Sequence, residues 1–192
     1  MRIACVIAAT ELDVDPTDVI VFPEGVNASE LFEASAMHPE SVVIGAIEED
    51  GYSRAVMLYN GTNHVSYLKV ETDGRTRGTD DCTQVPIARF SNMCVGMLVC
   101  MDVQNPMFSL KVLKALQSCS HPLKLLCIPA DMGSYWFEGS TLPFPAQYSG
   151  IYVALSNHTK THDVRCKSFV ADVHGNKICI QLNTEPIYAD IT

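Results

Sequence analysis

The sequence predicts an α/β (α+β) fold in which many strands and few helices form mixed sheets. Short apolar runs rich in β-branched residues recur along the chain, as is typical of buried strands. Adjacent strand-like segments joined at Asn60-Gly61 and at His174-Gly175-Asn176 indicate antiparallel hairpins within these sheets. A length of 192 residues favours one domain, residues 1–192, that is just long enough for a two-sheet core.

The composition is that of a globular chain without a strongly basic region. Apolar residues make up 47% of the sequence and charged residues 18%, which excludes a disorder-prone composition. The formal net charge is −9 and no basic cluster occurs, which argues against nucleic-acid binding through phosphates. No apolar stretch approaches membrane-spanning length, and the short run over residues 1–9 suits a first strand better than a signal peptide. We therefore expect a cytoplasmic protein that binds neither nucleic acid nor membrane.

The eight cysteines are expected to be reduced thiols, because no C-x-x-C pair occurs and several lie within apolar strands. The residues His158, His162 and Cys166 have a spacing of four that could bind zinc, but they follow a strand in a charged segment, which favours a solvated turn. No glycine-rich phosphate loop is present. We expect no cofactor and no metal.

The first half of the chain is predicted to contain one short helix, over residues 29–37, with Ser29 as its N-cap. Apolar and alternating patterns predict strands over residues 3–8, 19–22, 41–47, 54–59 and 64–70. Glu24 follows the second strand directly, between a proline and a glycine. That placement is typical of active sites, although a solvated loop glutamate is equally compatible with it. Lys69 ends a hairpin arm, where alternation alone favours a solvent-facing lysine.

The second half is predicted to contain one helix, over residues 107–116. Strand patterns cover residues 85–90, 95–100, 123–128, 151–155, 167–173, 177–182 and 187–191. The loop over residues 133–147 holds the single tryptophan, and it could either wall a pocket or cap the core.

Cys100 ends the apolar run that begins at Val95, and Asp102, Asn105 and Pro106 then break the strand. Open α/β folds bind ligands at the carboxyl ends of strands, and a strand-to-helix corner favours a thiolate. Taken alone, however, a cysteine in an apolar run is more typical of packing than of catalysis.

Three short segments stand out in chain order: Phe22-Pro23-Glu24, Tyr67-Leu68-Lys69 and residues 96–102. Together they resemble the signature motifs of the nitrilase superfamily, the carbon–nitrogen hydrolases. Further similarity follows at Ile128-Pro129-Ala130, Asn157, residues 168–172 and residues 189–191, so it spans nearly the whole chain. The resemblance implies a four-layer α-β-β-α sandwich with two mixed sheets, here reduced in helices.

The resemblance also implies a Glu-Lys-Cys triad. Glu24 would be the general base, Lys69 the cation that stabilises an oxyanion, and Cys100 the nucleophile, with the backbone N–H of Met101 as a second oxyanion donor. The chemistry suits these residue types, since a carboxylate can accept the thiol proton and an ammonium stabilises the developing anion.

Other site residues are less clearly indicated. The stretch from Lys69 to Cys100 is short, and members of the family often carry a second glutamate there; Asp80 and Asp81 are the candidate supporting acids, while Glu71 is also available. His121 could in principle pair with Cys100, without local support. The candidate pocket residues are Tyr135, Trp136, Phe137 and Asn157.

We therefore expect a thiol amidohydrolase that cleaves a small linear amide or carbamoyl compound through a cysteine acyl-enzyme. Because the loops are short and the second glutamate is missing, the alternative is a catalytically reduced nitrilase-like binding or assembly module. The resemblance implies a homodimer, a homo-oligomer formed through the face of the helix that follows Cys100.

Overall fold

A computed structural model describes residues 1–6, 17–71, 77–79, 83–131, 150–157, 167–180 and 185–192. Two helices lie within these residues, α1 (Ala28–Met37) and α2 (Pro106–Gln117). The strands are β1 (Arg2–Cys5), β2 (Val19–Glu24), β3 (Val42–Glu49), β4 (Tyr52–Tyr59), β5 (Thr62–Leu68), β6 (Ile87–Arg89), β7 (Met93–Met97), β8 (Leu123–Ala130), β9 (Tyr152–Asn157), β10 (Phe169–Ala171), β11 (Lys177–Ile180) and β12 (Ile187–Asp190).

The strands form two mixed sheets of six. The first sheet has the order β12-β1-β2-β3-β4-β5, and the second has the order β11-β10-β9-β8-β7-β6. In the first sheet β1, β2 and β3 are parallel, and in the second β7, β8 and β9 are parallel; the other pairs are antiparallel. The predicted mixed α+β architecture is confirmed.

The two sheets pack face to face, and among the described residues each carries one helix on its outer face. α1 contacts β3 and β4, while α2 contacts β6, β7 and β8. Side chains of β2 alternate accordingly: Val19 and Val21 lie in the core between the sheets, and Ile20 and Phe22 lie under α1. This strand is covered on both faces, which explains its unbroken apolar sequence. The resulting order of layers is helix, sheet, sheet, helix.

α2 lies very close to β7 at Gly96. A Cβ atom at this position would be 3.0 Å from Cδ1 of Leu116, inside ordinary contact distance. The missing side chain therefore lets the helix pack closely onto the strand that leads to Cys100.

Two local predictions were wrong. The helix predicted from Ser29 begins at Ala28 with Asn27 as its N-cap, because the Glu30 carboxylate accepts a hydrogen bond from the Asn27 N–H at 3.3 Å. Cys94 and Cys119 form a disulfide, with Cα atoms 6.6 Å apart. The expectation of reduced cysteines fails for this pair because contact between β7 and the end of α2 is invisible in sequence spacing.

Candidate active site

Glu24 is the last residue of β2 and is only 5% exposed. Strand register connects it to Ala46 on β3, then to Ala55 on β4 and Tyr67 on β5. Residues in one such row project from the same face of the sheet. The row lies on the face that meets the second sheet, and its two middle side chains, Ala46 and Ala55, are small and fully buried.

Lys69 follows β5 and is 1% exposed. β5 runs in the same direction as β2, because two antiparallel pairings separate β5 from β3. Its end therefore lies at the same edge of the sheet as Glu24, and the Lys69 Nζ donates a hydrogen bond to Glu24 Oε1 at 2.7 Å. The solvent-facing lysine favoured by alternation alone is wrong; the side chain is half of a buried ion pair.

Cys100 begins a short 3-10 turn, Cys100–Gln104, that follows β7 after two residues. Its φ is +47°, in the left-handed region that non-glycine residues rarely adopt, and the residue is 2% exposed. The chain therefore turns sharply at the thiol. Strain of this kind, of order 1–3 kcal/mol, persists only where surrounding contacts hold it, and such residues cluster at functional sites.

Burial raises the pKa of the Cys100 thiol from 9.0 to about 12, and the charge of Glu24 raises it further in the same direction. The Lys69 charge and a hydrogen bond from the Asp131 backbone N–H act against this rise. The Glu24 carboxylate, the Lys69 ammonium and the Cys100 thiol therefore lie close enough to interact. The structure does not support the expected resting thiolate, because a pKa this high leaves the thiol protonated at neutral pH.

Glu24 has one oxygen available for proton transfer. Its Oε1 accepts from Lys69, whereas Oε2 is buried without a hydrogen-bond partner among the residues that the structure describes. A buried acceptor left open beside a protonated thiol is what a general base requires.

Asp102 is a residue whose role the sequence did not reveal, because it was interpreted only as a strand breaker. It is fully buried, and its Oδ1 accepts hydrogen bonds from the backbone N–H groups of Val70 at 2.9 Å and Glu71 at 2.7 Å. Its Oδ2 accepts from the Tyr67 hydroxyl at 2.9 Å. The available signal was a carboxylate at the end of a long apolar run.

Three further residues lie at the same edge of the second sheet. Met101 follows Cys100 in the 3-10 turn, whose first N–H groups have no partner within a turn of this kind. Asp131 follows β8, and Asn157 ends β9 in register with Ala130. Asn157 is fully buried, and its N–H donates to the Ser168 hydroxyl at 2.9 Å. These positions are compatible with the expected roles of Met101 as an oxyanion donor and Asn157 as a pocket residue. Asp131 lies at the same edge and was not among the expected site residues.

The remaining candidates divide into two groups. Asp80, Asp81, Tyr135, Trp136, Phe137, His158, His162 and Cys166 lie outside the described residues. Glu71 is described, and its carboxylate accepts a hydrogen bond from the Asn105 side chain at 2.8 Å, at the start of α2. His121 precedes β8, at the opposite end of the parallel strands from Cys100.

The described residues contain neither a membrane-spanning helix nor a cluster of metal ligands. No helix there is long and apolar enough to cross a membrane. The same part of the chain contains no group of three or more histidine, cysteine or acidic side chains arranged to hold a metal ion.

The chain is similar to solved structures of amidases. No family model and no curated protein matches it. A glutamate-to-glutamine mutant of the amidase from Nesterenkonia sp. AN1, with acrylamide added at its active-site cysteine, has 18% sequence identity and a TM-score of 0.75 over 100% of this chain and 93% of the amidase. That amidase is described as a member of the nitrilase superfamily. The chain has the nitrilase-superfamily fold.

Two other solved structures are also similar to this chain. A CN-hydrolase superfamily protein from Xanthomonas campestris, with an arsenic adduct in its active site, has 14% identity and a TM-score of 0.77 over 100% of this chain and 90% of that protein. A cysteine-to-alanine mutant of the Nesterenkonia amidase in complex with butyramide has 19% identity and a TM-score of 0.69, over 98% and 88% of the two chains. The nitrilase-superfamily fold therefore covers this chain from end to end.

Proposed function

We propose that this protein is a thiol amidohydrolase of the carbon–nitrogen hydrolase type, acting on small linear amides or carbamoyl compounds. The observation that carries the proposal is the meeting of Glu24, Lys69 and Cys100 in one buried site at the ends of strands from both sheets. The nitrilase-superfamily fold supports it, since the similar solved structures are amidases with an active-site cysteine.

In the proposed acylation, the Cys100 sulfur attacks the carbonyl carbon while its proton passes to Glu24. The two events must accompany each other, because burial leaves the thiol protonated before attack. The resulting oxyanion is stabilised by the Lys69 ammonium and the Met101 N–H. The C–N bond then breaks, and Glu24 returns the proton to the departing nitrogen. The product is ammonia or an amine, and the acyl group remains on sulfur as a thioester.

In the proposed deacylation, Glu24 takes a proton from a water molecule that attacks the thioester carbonyl. Lys69 and Met101 stabilise the second oxyanion in the same way. The carbon–sulfur bond breaks, the acid product leaves, and Glu24 returns the proton to Cys100. One carboxylate thus acts alternately as base and acid, and Glu24 and Cys100 return to their starting protonation states.

Small aliphatic amides are the first substrates to try. The similar Nesterenkonia amidase was solved with acrylamide and with butyramide, so these two compounds, together with N-carbamoyl amines, form the panel. Release of ammonia or amine from each compound measures turnover. The expectations of a cytoplasmic location and of no nucleic-acid partner stay predictions.

The decisive variant is Cys100→Ala, for which we expect turnover to fall at least about a thousandfold. Cys127→Ala is a matched control, since Cys127 is an equally buried free cysteine in the middle of β8. Unchanged turnover in Cys100→Ala would overturn the nucleophile assignment. Amide binding without turnover in the unsubstituted protein would instead support the alternative, a nitrilase-like binding module.

We also propose that the protein forms a homodimer through the outer face of α2. Met107 and Leu110 leave 79% and 44% of their surface exposed there, and exposed apolar side chains on one helix face are typical of an interface. Met107→Lys should convert the dimer to a monomer in light scattering. Phe32→Lys, on the exposed face of α1, is the control. A monomeric unsubstituted protein would contradict this proposal.

A further inference from the structure

One buried hydrogen-bond network connects the segment that carries Lys69 to the turn that carries Cys100. Tyr67 precedes Lys69 by two residues, and Asp102 follows Cys100 by two. The Tyr67 hydroxyl donates to Asp102 at 2.9 Å and accepts from the Val99 N–H at 2.7 Å. The phenol thus bridges both sides of the Cys100 turn from the first sheet.

The same carboxylate holds the chain on the other side of Lys69. The N–H groups of Val70 and Glu71 both donate to Asp102 Oδ1, while the Lys69 N–H itself donates to the Ser53 carbonyl at 2.8 Å. Hydrogen bonds therefore fix the backbone before, at and after the lysine. Its ammonium is placed by this backbone and by Glu24.

The network also supports the strained conformation of the nucleophile. The Asp102 N–H donates to the Val99 carbonyl at 2.8 Å, which closes the turn around Cys100 at its φ of +47°. Val99 is held on its N–H by Tyr67 and on its carbonyl by Asp102. Such a conformation persists only where its surroundings determine it.

We propose that Tyr67 and Asp102 are a pair of positioning residues that hold the Lys69 ammonium at a working distance from the Cys100 sulfur. The catalytic role of this pair rests on the proposed function. The reactivity of the Cys100 thiol tests the positioning of Lys69 separately, because it can be measured without turnover. Neither residue exchanges a proton with substrate; each acts through Lys69 and Cys100. The pair joins two sheets that supply different parts of the site.

The burial pattern agrees with this role. The Tyr67 ring packs against Phe108 of α2, with ring centroids 5.3 Å apart, so that the phenol oxygen is directed by packing as well as by hydrogen bonds. Burial, followed by the charge of Asp102, raises the pKa of Tyr67 well above its usual value. The hydroxyl therefore stays protonated and remains the donor of the hydrogen bond to Asp102.

The test uses Tyr67→Phe, which keeps the ring and removes only the hydroxyl. We expect kcat for the best amide to fall about 10- to 100-fold with KM changed less than about threefold, because displacement of a catalytic group affects the reaction more than binding. The rate of Cys100 alkylation by iodoacetamide, followed by peptide mass spectrometry, should fall about tenfold as the thiol loses its nearby cation. Asp102→Asn should move both measurements in the same direction.

Tyr59→Phe is the matched control, because Tyr59 is the last residue of β4, four residues beyond Ala55, and packs against His64 and Phe90. It should leave kcat and the alkylation rate unchanged. A lowered Tm with unchanged kcat and alkylation in both Tyr67→Phe and Asp102→Asn would overturn the proposal and leave a purely structural role. If Cys100→Ala keeps its turnover, the proposed function fails, while the alkylation rates still decide whether the pair positions the lysine.

Discussion

The two sheets are alike in construction and different in what their ends carry. In the part of the chain that the structure describes, each has six strands, three of them parallel, and one helix on its outer face. The first sheet ends in the ion pair of Glu24 and Lys69, whereas the second ends in the Cys100 thiol and the Asp131 N–H. Charge and nucleophile thus belong to different sheets. A change in the first sheet should therefore be measurable as altered reactivity of a thiol in the second.

The largest effect is expected for Glu24→Gln, which removes the proton acceptor from the first sheet. Turnover should fall about 10³- to 10⁴-fold, since the same group serves both half-reactions. Cys100 alkylation should become faster, because the Glu24 charge raises the pKa of the thiol and its loss lowers that pKa. A pH series of iodoacetamide labelling measures the second effect. Slower alkylation would show that the carboxylate does not act on the sulfur as the structure indicates.

Lys69→Met should reduce both activity and stability. It leaves the buried Glu24 without its cation, which typically costs about 3–5 kcal/mol of the free energy of unfolding. The pKa of the thiol should rise further, since the Lys69 charge lowers it, so alkylation should slow where Glu24→Gln accelerates it. Urea unfolding and labelling check the two effects separately. Lys124→Met, on a side chain that bonds the Gln117 carbonyl at an exposed site, is the control.

The pH dependence of the free energy of unfolding tests whether the pKa of Asp102 is raised. Burial raises its pKa from 3.8 to about 6, although hydrogen bonds from Glu71, Tyr67 and Val70 and the Lys69 charge oppose the rise. A carboxyl group with a raised pKa in the folded state favours folding while it is protonated. That contribution, about 3 kcal/mol at most, is complete below about pH 4 and is lost as the pH rises through about 6.

We therefore expect the free energy of unfolding to fall between about pH 4 and 6 in the unsubstituted protein and to change less in Asp102→Asn. Denaturant unfolding at each pH measures the difference. If Asp102→Asn lowers turnover but leaves stability at neutral pH unchanged or higher, Asp102 differs from an ordinary core residue, whose substitution lowers stability. An identical pH dependence in both proteins would contradict a raised pKa.

The smallest effects are expected for glycine substitutions in the two sheets, where each sheet packs against its helix. Gly45→Ala would place a Cβ atom 2.8 Å from Leu31 under α1, and Gly96→Ala would place one 3.0 Å from Leu116 under α2. Each should cost about 1–3 kcal/mol through overpacking. Thermal unfolding measures the cost, and Gly45→Ala should keep its turnover within about twofold. Gly96 lies on the strand that leads to Cys100, so a larger loss of turnover there would indicate that α2 supports the thiol.

Local features were predicted well because they depend on neighbouring residues. The hairpin at Asn60-Gly61 is confirmed, and both residues have positive φ, at +49° and +69°, as such two-residue turns require. The run from Val19 to Phe22 forms a strand covered on both faces, as its unbroken apolar character indicated. The cap of α1 was missed by two residues, because several neighbouring side chains can serve as N-caps and only the folded backbone selects one.

Features that join distant segments were predicted poorly. Alternation along one hairpin arm could not reveal that Lys69 is buried, since its partner lies 45 residues away. Asp102 looked like a strand breaker because its three donors come from residues 31 to 35 positions earlier. Pairing of Cys94 with Cys119 depends on α2 folding back over β7. In each case the missing information was a contact between elements.

By itself, the amino-acid sequence determined the strands, the two helices, the hairpin and the order in which an acid, an amine and a thiol follow buried strands. Only the tertiary structure decided that these groups are buried together, that Asp102 and Tyr67 connect them, and that the thiol is protonated at rest. The physical reason is that propensity and hydrophobic pattern act over a few residues. Desolvation, charge interactions and hydrogen bonding depend on whichever atoms the closed sheets bring together.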